Sequence, residues 1–369
     1  MAPCTEAKGG GDLPLVRIGH LEKTAPFGTI NAIPRRIPCD EVLTISMTHI
    51  LVPDNLDNAG LTLLKAAPEV TLQAAAKMSR EEVLAAIPNA AAMIIRSATT
   101  VDAAMMDAAP RLKVIGRAGV GVDNVDLPEA TERGIVVMNA PDGNTIATAE
   151  LALGLMLALA RHIPQANATT HSGKWEKKAF MGVELRGKTL GVVGFGRVGR
   201  AVAKRAAAFE MTIIAFDPFI SAESGAAHGA EMVSLDELYA RADFITLHAV
   251  SSPENKGMIN AASIQKMKKG VRIVNDSRGS LIDEAALAEA LKSGQVAAAA
   301  LDVFNKEPLE DGSPLVGIPN AILTPHLGAS TLEAQDAVAI QIVENVLGAL
   351  FRGDYRNVVN PDVLTKVRA

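Results

Sequence analysis

The sequence predicts an α/β fold with two doubly wound parallel sheets. Short apolar segments alternate with helical segments along most of the chain, which is typical of parallel strands joined by helical crossovers. A long apolar helix predicted at residues 145–162 interrupts this alternation and separates two series of strands. A glycine-rich turn directly follows the first strand of the second series, where a strand has to turn sharply into a helix.

The first series begins after residue 46. We predict its strands at residues 49–53, 91–95, 113–116 and 135–138, and two of its helices at 59–66 and 101–108. Asp126 is a candidate N-cap for a further helix with Pro128 in its first turn, and Gly134 is placed to end that helix.

The second series begins at Thr189. Its strands are predicted at residues 190–193, 212–216, 244–247, 272–275, 298–301 and 321–323. A last helix at 331–350 ends before Gly353 and is expected to return to the first domain. The resulting domains are a poorly ordered extension (1–46), a first domain (47–145, completed by 330–361), a second domain (146–329) and a tail (362–369).

Composition excludes several classes of protein. The 369 residues are 49% hydrophobic and carry 36 Lys and Arg against 41 Asp and Glu, so disorder of the whole chain and nucleic-acid binding are both disfavoured. Cys4 and Cys39 are too few for a disulfide framework or a cysteine zinc site, and no histidine pair has metal-ligand spacing. The longest apolar run, 151–160, is about half of a bilayer span. We therefore expect a cytoplasmic protein without a metal, nucleic-acid or membrane partner.

The glycine-rich turn has the spacing of a dinucleotide site. Gly194, Gly196 and Gly199 form G-x-G-x-x-G between a predicted strand and a predicted helix, and Asp217 ends the next strand. The glycines permit a tight turn, close approach of a pyrophosphate and close packing of helix on strand. A carboxylate at Asp217 favours a ribose 2′-hydroxyl over a 2′-phosphate, and hence NAD over NADP. The alternative is a purely structural turn followed by a surface aspartate.

Three further motifs each follow a predicted strand of the second sheet, where ligands bind in such folds. They are residues 274–279 (VNDSRG), residues 301–304 (LDVF) with Glu307-Pro308 shortly after, and residues 324–331 (TPHLGAST). With residues 117–126, 139–144 and 173–175, these motifs resemble the D-isomer-specific 2-hydroxyacid dehydrogenases, and within that family the phosphoglycerate dehydrogenases. The similarity spans about residues 47–361. It implies a Rossmann-type NAD domain, a flavodoxin-like substrate domain formed by both chain ends, and a homodimer or higher homo-oligomer.

The chemistry of hydride transfer can be assigned to three side chains. His326, whose reference pKa is about 6.5, is the candidate acid–base that exchanges the proton of the substrate hydroxyl. Glu307 is the candidate partner that fixes its tautomer, and Arg278 offers a fork for the substrate carboxylate. These roles match the family's residues. The alternatives are a structural histidine, a loop carboxylate, and an arginine paired with Asp283.

The remaining site residues follow from the resemblance. It assigns cofactor contacts to Val120, Gly194, Gly196, Arg197, Val198, Gly199, Asp217, His248, Ala249, Asp276, Ser277, Asp302, Gly328 and Ala329. It assigns substrate contacts to Arg96, Ser97, Ala98, Arg117, Gly119 and Lys177.

Four positions depart from the phosphoglycerate dehydrogenase pattern. Val120 occupies a position where the pattern has a threonine near the cofactor phosphates, and Val250 occupies one where it has a proline. Lys177 replaces an arginine, which can bind a phosphate through two hydrogen bonds. Glu210 stands for a glycine after a helix, where a left-handed backbone costs a non-glycine residue about 1 kcal/mol.

Three functions remain open from the sequence. The first is NAD-dependent oxidation of D-3-phosphoglycerate to 3-phosphohydroxypyruvate, which opens L-serine biosynthesis. The second is reduction of glyoxylate or hydroxypyruvate, or turnover of another D-2-hydroxy acid. The third is an NADH-sensing binding protein or co-repressor, against which the retained Arg278, Glu307 and His326 argue.

Overall fold

The computed structural model describes residues 47–367. The predicted extension with both cysteines, and the last two residues of the predicted tail, lie outside this part of the chain. The strands are β1 Thr48–Val52, β2 Val70–Ala74, β3 Ala92–Ile95, β4 Val114–Arg117, β5 Val136–Asn139, β6 Thr189–Val193, β7 Thr212–Phe216, β8 Glu231–Met232, β9 Phe244–Leu247, β10 Val271–Asn275, β11 Val296–Leu301 and β12 Ala321–Leu323.

The α-helices are α1 Asn58–Ala66, α2 Arg80–Ala86, α3 Ala103–Asp107, α4 Leu127–Glu132, α5 Thr145–Arg161, α6 Ile163–His171, α7 Arg197–Ala207, α8 Ala222–Ala227, α9 Leu235–Arg241, α10 Ala261–Gln265, α11 Glu284–Ser293, α12 Leu332–Arg352 and α13 Leu364–Val367. Short 3₁₀ helices lie at Ile87–Asn89, Lys177–Phe180, Gly279–Leu281 and Pro361–Val363.

The first sheet has the strand order β2-β1-β3-β4-β5, and every pair in it is parallel. This is the flavodoxin-like order that the family resemblance implies. Strands β3 and β5 are rich in Ile, Val and Met and are buried along their length, as expected for a sheet covered on both faces. Because all strands run the same way, Arg96 and Arg117 emerge at the same edge of the sheet.

The second sheet has the order β12-β11-β10-β9-β6-β7-β8, again with parallel pairs throughout. From β8 to β11 this is the doubly wound Rossmann order, extended by β12. The predicted α/β class with two parallel sheets is therefore confirmed.

The last long helix, α12, packs on the first sheet as predicted. Ile342 and Val346 of α12 are fully buried in the core of that sheet. A Cβ atom added to Gly116 in β4 would lie 2.6 Å from the Val346 side chain and 3.0 Å from that of Ile342. The sheet and helix approach this closely only because β4 carries a glycine there. The domain bounds predicted from the sequence stay predictions.

Helix α5 lies in the core of the second domain, where Met156 and Leu159 are buried against residues of β10, β11 and α7. Within residues 47–367, no single helix is both long and apolar enough to cross a membrane, and only α5 with α6, bent by 63° to each other, reaches that length and composition as a pair.

The sequence analysis did not predict strands β2 and β8, nor the bounds of helices α2, α6, α8–α11 and α13. The missed strands are short or lie at an edge, and the missed helix between β2 and β3 is short. Strand β2 is an edge strand with a half-exposed pattern, β8 has two residues, and α2 spans one to two turns. Glu210 lies in the left-handed region at φ 59°, as its position after α7 predicted.

Candidate active site

The three glycines of the turn after β6 each meet a distinct steric requirement. Gly194 has φ 86°, and an added Cβ would lie 2.6 Å from the main chain of His248 and Ala249. An added Cβ at Gly199 would lie 2.1 Å from the carbonyl oxygen of Gly194, so helix α7 needs a glycine to pack here. Gly196, the N-cap of α7, has open space within 4 Å. A pyrophosphate therefore fits against Gly196 and the free N–H groups of α7.

Asp217 follows β7 and closes the same turn. Its Oδ2 accepts a hydrogen bond from the Phe195 N–H at 2.8 Å, and its Oδ1 accepts one from the Phe219 N–H at 2.9 Å. The carboxylate thus lies beside the glycine-rich turn with its orientation fixed by two main-chain donors. Its remaining lone pairs are free to accept ribose hydroxyl groups.

His326 and Glu307 come together as the sequence predicted. His326 Nδ1 lies 2.6 Å from Glu307 Oε2, and the Phe304 N–H donates to Glu307 Oε1 at 3.0 Å. The hydrogen bond to Glu307 raises the pKa of His326 against the opposing effect of partial burial. Burial disfavours the charged form of Glu307, but the bonds from His326 and Phe304 outweigh it and lower the pKa of this carboxyl. The pair therefore favours an imidazolium beside a carboxylate.

Asp302 organises the loop that carries His326. Its fully buried carboxylate accepts hydrogen bonds from the Leu327 and Gly328 N–H groups, both at 2.8 Å, and from the Thr324 hydroxyl at 2.6 Å. Burial raises the pKa of Asp302 in spite of these bonds. The backbone of His326, at φ 56°, is left-handed between these anchored residues. The sequence indicated a ligand contact for Asp302 but not this support of the loop.

His248 and Asp276, at the ends of β9 and β10, face each other. The Nδ1 atom of His248 lies 3.3 Å from Asp276 Oδ1, and its Nε2 lies 2.8 Å from the Thr246 hydroxyl. Both side chains are at most 1% exposed. In this conformation a ligand contact from either position has to come from the main chain.

Arg278 is paired with an acid that the sequence did not indicate. Its Nε donates to Asp123 Oδ2 at 3.1 Å, and its Nη1 donates to the Ser277 carbonyl oxygen at 2.7 Å. The alternative pairing with Asp283 is wrong, because Asp283 instead caps helix α11 through the N–H groups of Ala285 and Ala286.

Arg96, Arg117 and Arg278 form an arginine cluster at the facing edges of the two sheets. Burial, with the like charges of Arg278 and Arg96, lowers the pKa of Arg117 to about 10. Gly119, at φ 147°, makes room for it, since an added Cβ would lie 1.5 Å from Arg117 Nη1. This density of positive charge suits an anionic substrate.

The loop after β3 presents Ser97 and Ala98 to solvent. Buried Asp54 holds this loop by accepting from the Arg96 N–H at 2.6 Å and the Thr99 hydroxyl at 2.7 Å. Asn124 adds bonds to the Arg96 and Thr99 carbonyls. Sequence reasoning missed both supports, because each lies more than twenty positions from the loop.

The other predicted residues occupy separate places around the site. Arg197, at the start of α7, pairs with Asp142 at 2.8 Å. Ser277 bonds to the Asn275 side chain, and exposed Lys177 begins a 3₁₀ helix. Four further residues predicted to contact the cofactor are partly buried: Val120, Val198, Ala249 and Ala329. Between residues 47 and 367, no cluster of three His, Cys, Asp or Glu side chains could hold a metal ion.

Known proteins are similar to this chain over most of its length. A family model described as "D-isomer specific 2-hydroxyacid dehydrogenase, NAD binding domain" matches residues 153–328. D-3-phosphoglycerate dehydrogenase of Archaeoglobus fulgidus is 53% identical over 283 residues, which are 77% of this chain and 54% of that protein. The enzyme of that name from Synechocystis is 48% identical over 88% of this chain and 59% of its own length. The chain thus spans little more than half the length of these relatives.

Solved structures extend the match over both domains. A glyoxylate reductase from Paecilomyes thermophila is 32% identical with a TM-score of 0.78, covering 85% of this chain and 99% of its own. The second domain is accordingly an NAD-binding domain. With a relative of this identity covered almost completely, the chain belongs to the D-isomer-specific 2-hydroxyacid dehydrogenase family.

Proposed function

We propose that this chain catalyses the NAD-dependent oxidation of D-3-phosphoglycerate to 3-phosphohydroxypyruvate, the step that opens L-serine biosynthesis. The observation that carries the proposal is the hydrogen-bonded His326–Glu307 pair, placed on strand-end loops of the same sheet as Arg278 and the glycine-rich turn. The names of the relatives support this substrate. The arginine cluster adds physical support, because a phosphorylated hydroxy acid carries negative charge at both ends.

His326 is the proposed acid–base. In oxidation its neutral ring takes the hydroxyl proton of the substrate, and in reduction the imidazolium returns a proton to the carbonyl oxygen. Glu307 holds Nδ1 at 2.6 Å, which directs Nε2 toward the substrate and stabilises the charged ring. Bound NAD supplies the hydride acceptor.

Arg278 is the proposed anchor of the substrate carboxylate, since a guanidinium can hold both carboxylate oxygens in one plane. Arg96 and Arg117 are the proposed attractors of the phosphate, and the N–H groups of the exposed residues Ser97 and Ala98 are proposed to contribute beside them. Gly119 serves by leaving room for Arg117. Lys177 is proposed to attract the phosphate as a point charge from its exposed position.

The cofactor-binding assignments are proposed on the shape and charge of the turn. The turn from Gly194 to Gly199 and helix α7 accommodate the pyrophosphate, and Asp217 accepts the ribose hydroxyls. The main chain at residues 248–249, 276–277 and 328–329, with Val120, is proposed to surround the nicotinamide half. Arg197 is placed to reach the phosphates if it leaves Asp142.

The pH dependence of the reaction follows from the raised pKa of His326. Oxidation requires the neutral ring, so kcat/KM for oxidation is expected to rise with pH through a midpoint above the usual 6.5. Reduction requires the imidazolium and should fall over the same range. Glu307→Gln removes the charge that chiefly supports the imidazolium, so the midpoint of both profiles should move downward. Rate profiles in both directions measure this.

The matched control for that experiment is Glu310→Gln, which removes an exposed carboxylate paired with Lys306 three residues along the same loop. Its profiles should coincide with those of the unsubstituted protein. Midpoints that stay in place in Glu307→Gln would contradict the assigned pair.

The substrate is tested by initial rates on 3-phosphoglycerate, glycerate, lactate and glyoxylate, each with NAD(H) and NADP(H). The proposal expects the highest kcat/KM for 3-phosphoglycerate with NAD. Faster reduction of glyoxylate would favour the second candidate, which similarity to a glyoxylate reductase supports. Binding of NADH without turnover of any hydroxy acid would favour a binding protein or co-repressor.

We also infer a cytoplasmic homodimer, or a higher oligomer, built partly on α5 and the segment that follows it. Ile146, Ile163, Trp175 and Met181 present large apolar side chains to solvent in this region. Covering them against a second copy would remove this apolar surface from water. Multi-angle light scattering is expected to give at least twice the mass of one chain, and a stable monomer would contradict the inference.

A further inference from the structure

The ion pair between Arg278 and Asp123 joins the two domains at the active site. Arg278 lies just after β10 of the second sheet, whereas Asp123 lies between β4 and α4 of the first. Their contact is the 3.1 Å bond from Arg278 Nε to Asp123 Oδ2. The Arg278 side chain is 28% exposed and that of Asp123 is 68% exposed, so solvent and small ligands can reach the pair.

The bond occupies one particular edge of the guanidinium. Nη1 donates to the Ser277 carbonyl oxygen, which fixes that side of the group to its own main chain. Nε and Nη2 form the other edge, which can bind both oxygens of a carboxylate in plane. Asp123 lies on this edge. A substrate carboxylate that is to be held by two bonds through Nε and Nη2 needs the position that Asp123 holds.

Gly121 shows how closely the two loops approach at this edge. A Cβ atom added to it would lie 1.9 Å from Arg278 Nη2 and 2.8 Å from Asp123 Oδ2. Any larger residue would displace the guanidinium or the carboxylate. The glycine therefore permits Arg278 to reach Asp123.

Asp54 and Asp123, two acids near the arginine cluster, differ in how they are held. Asp54 is buried and bonded to the Arg96 N–H and to Thr99, so its place is fixed by the fold. Within residues 47–367, the only hydrogen bond to the Asp123 carboxylate is the one from Arg278. Asp123 can move away at the cost of a single exposed ion pair, which is small.

We propose that Asp123 is a positioning residue that holds Arg278 in the absence of substrate and is replaced by the substrate carboxylate on the Nε–Nη2 edge. The inference rests on the proposed function, in which Arg278 binds that carboxylate. Asp123 keeps the guanidinium in place until a carboxylate replaces it on this edge. It also raises the concentration of carboxylate needed to occupy Arg278, because each binding event has to break the pair.

The test is Asp123→Asn, which keeps the shape of the side chain and removes its charge. KM for the hydroxy acid that the protein turns over best is expected to fall by about three- to fivefold, with kcat changed by less than about twofold. If Asp123 only supported the structure, kcat would fall and KM would rise. An unchanged or higher KM overturns the proposal.

A matched control is Asp107→Asn. Asp107 lies in the same domain, is equally 68% exposed and pairs with Arg133 at 2.8 Å away from the arginine cluster. Its substitution should leave KM unchanged. If KM fell in both Asp123→Asn and Asp107→Asn, the effect would come from the change in net charge. That result would overturn the proposed exchange of Asp123 for the substrate carboxylate.

Binding without turnover separates this inference from the proposed function. Oxamate carries a carboxylate beside a carbonyl group, and its affinity for the NADH complex can be measured by calorimetry. Asp123→Asn should tighten oxamate binding by the same three- to fivefold factor. That result together with no turnover of any hydroxy acid would refute the proposed function alone, whereas unchanged oxamate affinity in an active enzyme would refute the exchange alone.

Discussion

Replacing His326 by alanine is expected to lower kcat for hydroxy-acid oxidation by at least about 100-fold, while the affinity for NADH changes little. The His326 ring is the proposed proton acceptor, through Nε2. Glu307 Oε2 lies 2.6 Å from the other ring nitrogen, Nδ1. The alanine substitution therefore removes the base, and Glu307 is too far from the substrate hydroxyl to replace it. Steady-state rates and a fluorescence titration of NADH measure the two quantities.

The control is His171→Ala, which removes an exposed histidine at the end of α6. It should keep its rate and its cofactor affinity. A near-normal rate in His326→Ala would show that another group transfers the proton. Loss of NADH binding together with the rate would instead assign His326 to the cofactor.

Replacing Asp217 by alanine is expected to shift the NAD-to-NADP ratio of kcat/KM toward NADP by about 10- to 100-fold. Two effects act in the same direction. The ribose hydroxyls of NAD lose a charged acceptor, which contributes about 1.5–3 kcal/mol, and a 2′-phosphate no longer meets a carboxylate. Initial rates with both cofactors at saturating hydroxy acid give the ratio.

The structure adds a complication to that experiment, because Asp217 also accepts from the Phe195 and Phe219 N–H groups. Asp217→Asn keeps an oxygen for one of these donors, so it separates charge from support of the turn. The control Asp236→Ala removes an exposed aspartate of the same domain that pairs with Lys266. An unchanged ratio in both Asp217 variants would contradict the assignment.

Much of the second domain could be predicted because its strands are short, apolar and bounded by turns. The predicted strands at 212–216, 244–247 and 321–323 agree with the structure to the residue. Strand β2 was missed since it lies at a sheet edge, where one side meets solvent and the apolar pattern weakens. Strand β8, with two residues, is too short to show any periodicity.

The residues of the candidate site were also predicted only in part. His326, Glu307 and Arg278 could be proposed from motifs because their chemistry is carried by residue type beside a strand end. Asp302 was singled out, but its hold on the Leu327 and Gly328 N–H groups was not foreseen, as it depends on the path of a loop 25 residues further on. Asp54 and Asp123 were missed because their partners Arg96, Thr99 and Arg278 lie 42, 45 and 155 positions away along the chain.

The sequence by itself determined the α/β class, the glycine-rich turn with its acidic partner, and the three residues proposed for hydride-transfer chemistry. These depend on local backbone preference and on side-chain type, which neighbouring residues already define. Only the tertiary structure decided which charges face each other. Arg278 and Asp123 are 155 positions apart, and they meet because parallel strands deliver the ends of two sheets to one cleft. No sequence pattern within either segment indicates that these two residues are in contact.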